Sequence, residues 1–234
     1  MKILAVDSSG LVASVAIIEN ENLLAEYTVN YKKTHSQTLM PMLDEIVKMT
    51  DLSLESIDAI AVAGGPGSFT GLRIGSATVK GLGLALNKPI VNVPTIDGLA
   101  YNMWGSAGRI CPIMDARRNQ VYTGVYHFTN GDLVIDTKQM AIEITGLIEA
   151  LNQKEEKVTF LGDGVPVYED IIKKNIEVPY AFAPAHLNKQ RASAIAALAC
   201  IYYKEGRLET AAEHEPEYLR LSQAERERLE NLKK

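Results

Sequence analysis

The stretch IDAIAVAGGPGSFTGLRIGSATVKGLGLAL, residues 57–86, constrains the fold of this chain more than any other. An apolar run at 57–63 has the make-up of a buried strand, and it enters a turn with glycines at 64, 65 and 67 around Pro66. The turn leads directly into a helix. Glycine admits backbone angles closed to other residues, and the first N–H groups of a helix have no intrahelical partner, so such a corner can cradle an anion. The helix itself carries Gly71, Gly75, Gly81 and Gly83, which together forgo roughly 4 kcal/mol of helix propensity relative to alanine. Close packing must offset that loss. Gly71 and Gly75, and likewise Ala77, Gly81 and Ala85, recur every four positions and form smooth strips for the approach of another backbone. The strips can serve the domain's own core or a partner.

Two nucleotide motifs are tested against the corner. A P-loop ends in Gly-Lys-Ser/Thr, whereas this loop ends Thr70-Gly71-Leu72-Arg73, so it is not a P-loop. A dinucleotide fingerprint needs GxGxxG, but Gly65, Gly67 and Gly71 are one residue too long, and the next strand at 89–93 does not end in an acid.

Around this unit the chain reads as α/β. Residues 2–6 form a buried strand that delivers Asp7-Ser8-Ser9-Gly10 into a tight turn, 12–18 returns as a second strand, and 23–29 is a third. Ser36 and Thr38 offer caps for a helix running to about residue 49, with Pro41 expected near its start. Leu39, Leu43, Ile46 and Val47 share one face of it at helical spacing, while Asp44, Glu45 and Lys48 face away. A strand at 89–93 and a helix at about 95–104 follow. From Arg109 the layout repeats: a strand at 110–114 delivers Asp115-Ala116-Arg117-Arg118 into a turn and 121–128 returns, with Asp115 standing 108 positions after Asp7. Strands at 133–136 and 157–161, helices at 145–152 and 166–174, and a last core helix at 188–204 complete the reading. Two similar domains are therefore expected, at 1–105 and 106–221, the last helix packing back on the first domain, with a charged tail at 222–234.

At 234 residues, 47% of them hydrophobic, the chain is long enough for such a pair. The formal net charge of −5 disfavours direct binding of RNA or DNA, although a local patch survives that argument. Arg117-Arg118 beside Tyr122 and Tyr126 offers such a patch, while two arginines in a turn are most often solvated surface. The opening MKILAVDSSG has no export pattern and no apolar run reaches membrane-spanning length, so a cytoplasmic location is expected. Cys111 and Cys200 lie in apolar surroundings and read as reduced core residues. Asp7, with Ser8 and Ser9, can hold magnesium or a water beside a phosphate, or simply cap its own turn. The four histidines, at 35, 127, 186 and 214, are scattered and form no His-x-x-x-His pair, and no Gly-x-Ser-x-Gly elbow is present.

The opening MKILAVDSSG, His35-Ser36, the run GGPGSFTGLR at 64–73, Val93-Pro94-Thr95 and Asp115-Ala116-Arg117 together resemble the TsaB (YeaZ) family of bacterial tRNA threonylcarbamoyladenosine biosynthesis proteins. The resemblance covers nearly the whole chain and is weakest after Thr129. It implies two RNase H-like domains side by side, the fold of actin, Hsp70 and sugar kinases. It also implies a non-catalytic paralogue of TsaD, the subunit that transfers threonylcarbamoyl to tRNA adenosine. Where that subunit carries a metal-binding His-x-x-x-His, this sequence has Thr95 and Leu99, neither able to replace imidazole. The family further implies a heterodimer with TsaD through helices of the first domain, an ATPase, TsaE, at the junction, a homodimer when TsaD is absent, and only indirect contact with tRNA. On that basis the partner interface is expected at His35, Leu39, Leu43, Ile46, Val47, Arg73, Ile74, Ala77 and Gly81. A degenerate nucleotide site for weak ATP or ADP binding is expected at Asp7, Ser8, Ser9, Gly65 and Gly67. No metal site and no catalytic residue is expected. The rivals are an ATP-dependent kinase or phosphatase using Asp7 and the 64–67 loop, and a metalloprotease-like hydrolase.

Overall fold

The chain is described by a computed structural model covering residues 1–31 and 34–220; the tail expected at 222–234 lies outside the described residues. Each half is built on an antiparallel meander that opens with an apolar strand. The first comprises β1 (Lys2–Asp7), β2 (Ala13–Glu19) and β3 (Asn22–Val29), then α1 (His35–Met49), a short 3-10 turn (Leu54–Ser56), β4 (Ala59–Ala63), α2 (Phe69–Leu86), β5 (Ile90–Val93) and α3 (Thr95–Tyr101). The second comprises β6 (Arg109–Asp115), β7 (Gln120–Thr129) and β8 (Asp132–Glu143), then α4 (Ile144–Asn152), β9 (Val158–Leu161), α5 (Val165–Asn175), β10 (Tyr180–Phe182) and α6 (Ala192–Lys204).

The sheets run β3-β2-β1-β4-β5 and β10-β9-β6-β7-β8. In each, the first three strands are antiparallel, and the fourth and fifth are added parallel on the far side of the first. The two sheets share one topology, and this is a pair of RNase H-like folds. Asp7 and Asp115 each end the opening strand of a sheet, in register with Ser14 and Val121.

The strands β1 and β4 are uninterrupted apolar runs because both their faces are covered. On one face α1 and α2 pack Leu39, Met42, Leu43, Ile46 and Val79 against Leu4, Val6, Ile17 and Ile60. On the other lies α6, whose Ala192, Ala196 and Ala199 sit with Ile195 among Ile3, Ala5, Ala61 and Val91. Its start is fixed by Glu26 of β3, which accepts from Ser193 N at 3.0 Å and Ser193 Oγ at 2.7 Å and is ion-paired with Arg191. Burial pulls the Glu26 carboxyl upward, but the bonds from Arg191 and Ser193 outweigh it and hold the group below its ordinary range.

Between the sheets lies α3, with Ile96, Leu99 and Ala100 packed on Ile110, Met114, Tyr126 and Leu161. Asp97 on this helix is 5% exposed and accepts from Tyr126 Oη at 2.8 Å and Tyr202 Oη at 3.2 Å, so helix, second sheet and α6 meet at one carboxylate. Burial pushes its pKa up, against the pull of the two tyrosines, and burial beside it pushes the Tyr202 hydroxyl to about 12.

Several boundaries differ from the sequence reading. The helix α1 begins at His35 with Thr34 at its cap, so Ser36 and Thr38 lie inside it, and Pro41 sits in its interior on the exposed side. There the proline removes one helix N–H donor, next to exposed Gln37. The strand β8 continues through polar Thr137 to Glu143, as an edge strand with one wet face can. The short β10 has no periodicity to announce it. The last helix starts at Ala192, because the chain bends at 188–189, Arg191 is extended at the cap, and Asn188 O accepts from Gly162 N at 2.9 Å. Among the described residues no helix is long and apolar enough to cross a membrane.

Candidate functional site

The glycine corner meets the turn after β1. Asp7, 1% exposed, accepts from Ser9 N at 2.9 Å and from Ser9 Oγ at 2.6 Å, and burial pushes its pKa up despite those bonds. Ser8 Oγ donates to Gly71 O at 2.9 Å, and Ser68 N donates to Ser9 O at 2.7 Å. A Cβ built at Gly67 would lie 2.3 Å from Ser9 O, and one at Gly71 would lie 2.1 Å from Ser8 O. Bare backbone is what lets α2 seat on this turn.

Backbone groups of Gly64 and Gly65 are also engaged within the protein. Gly64 N donates to Val93 O at 2.9 Å, and Gly65 N to Thr95 Oγ1 at 3.1 Å. On the outer side Glu217 N donates to Gly64 O at 2.7 Å, and Glu217 O would lie 2.2 Å from a Cβ at Gly65. Asp7, Ser8, Ser9, Gly65 and Gly67 are therefore brought together, but to one another rather than around a space. An incoming phosphate would have to displace protein hydrogen bonds to reach them. Asp7 caps its own turn.

The segment that covers the corner, 205–220, had no counterpart in the sequence reading. Ile90 and Glu209 exchange backbone bonds at 2.8 and 2.9 Å, adding a residue to the edge of the first sheet. Lys80 Nζ donates to His214 O at 2.8 Å and Ala212 O at 3.3 Å, and Tyr218 stacks on Phe69 at 4.4 Å. With α2 it bounds a groove of about 400 Å³ between Arg73, Ser76 and Ala77 on one side and Pro216 and Tyr218 on the other.

Thr95 and Leu99, which the resemblance matches to a metal-binding pair, are 0% and 1% exposed. The threonine hydroxyl is bonded to Gly65 and the leucine belongs to the core around Tyr126, so this donor set does not fit a metal. Among the described residues no three His, Cys, Asp or Glu side chains converge on one point.

The expected partner face divides. Leu39, Leu43 and Ile46 are 1%, 4% and 0% exposed in the first sheet's own core, and this corrects their placement on a surface: the apolar stripe of α1 faces inward. Val47 and Ile74 are half-buried against that core, and His35 is half-buried with Nε2 at 2.8 Å from Gly10 O. Arg73, Ala77 and Gly81 lie on the exposed face of α2, with Leu84 at 69% exposure continuing the line. Among the described residues a Cβ at Gly81 would meet nothing within 4 Å. The outward strip is thus made of small residues flanked by Arg73, which stacks on Phe69 at 4.1 Å.

A family model described as TsaD, tRNA N6-adenosine threonylcarbamoyltransferase, matches residues 22–228. The tRNA threonylcarbamoyladenosine biosynthesis protein TsaB of Bacillus subtilis is 34% identical over 236 residues, covering 100% of both chains. The protein of the same name from Escherichia coli is 28% identical, covering 94% of this chain and 95% of its own. The solved structure of YeaZ from Pseudomonas aeruginosa superposes with a TM-score of 0.77 at 26% identity, covering 93% of this chain and 99% of that one.

Proposed function

The chain belongs to the TsaB (YeaZ) family of tRNA threonylcarbamoyladenosine biosynthesis proteins, and we infer that it serves t6A formation as a scaffold subunit without catalytic residues of its own. The observation that carries this reading is the exposed line Arg73, Ala77, Gly81 and Leu84 on α2. Glycine in mid-helix sacrifices stability unless something approaches closely, and among the described residues nothing lies within 4 Å of a Cβ built at Gly81. A second helix laid along the line would fit it, because small residues bring helix axes together and Leu84 supplies apolar area.

The occupant is a TsaD-type subunit, which the family resemblance implies, with a TsaE-type ATPase joining at the junction and a second copy of this chain taking the place when TsaD is absent. The interface then comprises Arg73, Ala77, Gly81 and Leu84, with Ile74 and Val47 along its edge. Engagement of Ser9 N, Gly64 N, Gly65 N and Ser68 N within the protein supports a scaffold over a kinase or phosphatase, since a phosphate at the corner would have to displace those bonds.

The test is Ala77→Arg against Leu43→Asp. Ala77 is exposed, so its replacement leaves the fold within about 0.5 kcal/mol of the parent while blocking assembly with TsaD and t6A formation in the reconstituted system. Leu43→Asp unfolds the chain, because it puts a carboxylate in the core. Normal assembly and normal t6A formation by a folded Ala77→Arg chain would refute the placement.

A further inference from the structure

The turn that closes the second hairpin is held in costly backbone. Arg117, Arg118 and Asn119 take φ angles of 63°, 56° and 59°, three successive non-glycine residues in the left-handed region, each disfavoured by roughly 1 kcal/mol or more. The surrounding structure fixes them there. Asp115 Oδ1 accepts from Arg117 N at 2.8 Å and from the hydroxyl of Tyr168, a buried residue of α5, at 2.9 Å. The Arg220 guanidinium, from the covering segment, bonds Ala116 O. The result is a rigid turn with both arginine side chains in water.

Among the described residues neither side chain has a carboxylate partner, whereas Arg109, Arg191 and Arg207 each have one. Arg220 stands beside the turn, and Lys189 acts on Asp163, the carboxylate that accepts from Asp115 N at 3.3 Å. Burial, more than the neighbouring Asp115 charge, raises the pKa of Asp163 and weakens its hold on negative charge. Arg117 and Arg118 thus stand with Arg220 at one turn, beside the Asp115 carboxylate, in a chain whose formal charge is −5.

We propose that the Arg117–Arg118 turn contacts the phosphate backbone of the tRNA on which this family acts. A guanidinium presents a planar fork of donors that matches phosphate oxygens, and a pre-set turn loses little entropy when it binds. An acidic protein surface would satisfy the same charge. RNA is favoured because the curated relatives are named for tRNA modification. The proposal rests on family membership and goes beyond the scaffold reading, which needs no RNA contact.

The experiment measures retention of a tRNA transcript across a salt series, on the chain alone and on the chain mixed with TsaD, with assembly followed separately by sedimentation of the same samples. Each phosphate contact contributes about 0.7 to 0.9 to the slope of log K against log salt, so Arg117→Gln with Arg118→Gln should flatten it by roughly 1.5 and weaken binding about tenfold or more near 0.1 M salt. The double lysine variant, Arg117→Lys with Arg118→Lys, keeps the charges on the same turn and should retain most of the slope, and Lys154→Gln, far along the chain, should change neither. An unchanged slope in the double glutamine variant while its thermal melt matches the parent overturns the proposal. So does absence of tRNA retention in both samples at low salt. Equal loss of binding to poly-glutamate and to tRNA would assign the turn to an acidic protein instead. If TsaD does not assemble, the scaffold reading fails and the chain-alone series decides the RNA contact.

Discussion

Two alanine substitutions on one helix should move stability in opposite directions. Gly71 and Gly81 both lie within α2 at helical angles, and in an isolated helix each change to alanine would gain about 1 kcal/mol. At Gly71 the new methyl would lie 2.1 Å from Ser8 O and 3.3 Å from both Ser68 Cβ and the His35 ring. The oxygen belongs to the turn that Asp7 and Ser9 lock, so it cannot move away without breaking those bonds. An approach this close puts the overpacking at the upper end, about 2–3 kcal/mol, so after the propensity gain Gly71→Ala should be destabilised by a net of about 1–2 kcal/mol. At Gly81 nothing among the described residues lies within 4 Å, and the propensity gain is realised in full. At about 2–4 °C per kcal/mol for a chain of this size, melting should fall by roughly 2–8 °C for Gly71→Ala and rise by roughly 2–4 °C for Gly81→Ala. Circular dichroism melts suffice, at concentrations where sedimentation gives the monomer. A rise in both variants would mean that α2 is not seated on the first hairpin turn, and a fall in both would mean that Gly81 is covered in the free chain.

Further outcomes follow from the buried carboxylates and the α6 cap. Because Asp97 has a raised pKa in the folded chain, the native state holds its proton more tightly, so stability falls as pH rises from the ordinary value of 3.8 through the raised one. Asp97→Asn should flatten that decline in urea titrations between acid and neutral pH; an undiminished slope would place the titration elsewhere. Glu26→Ala should lose about 2–3 kcal/mol by leaving Arg191 and the α6 amide unpaired. Since Glu26 is held below 4.5, its contribution is present above that value and disappears as pH falls through the lowered pKa, and equal melts of parent and variant at neutral pH would refute the cap.

The duplication was legible because two signals agreed: an apolar strand ending in an aspartate and a tight turn, and its recurrence from Asp7 to Asp115; the short β10 of the second sheet was not. Orientation was not. The stripe Leu39, Leu43, Ile46 looks the same whether it meets the chain's own sheet or another protein, and only the assembled fold shows it inward. Glycine is equally mute, since Gly71 and Gly81 are one letter, yet one touches Ser8 and the other touches nothing. The covering segment 205–220 escaped because it is neither helix nor strand for most of its length and is held by backbone carbonyls that bond Lys80, a backbone exchange with Ile90 and a stacked tyrosine. The closure of the glycine corner depended on that segment. The motif suggested an anion site, whereas Glu217 and Thr95, far away in sequence, decided what its backbone bonds.

Sedimentation velocity of the purified chain, alone and mixed with the TsaD-type protein of the same organism, tests the scaffold most directly. The account predicts a one-to-one heterodimer with the parent chain, replacing any self-associated form, and none with Ala77→Arg. If no faster species forms with the parent under any nucleotide condition, or if Ala77→Arg assembles as well as the parent, then the exposed line on α2 is not the shared surface.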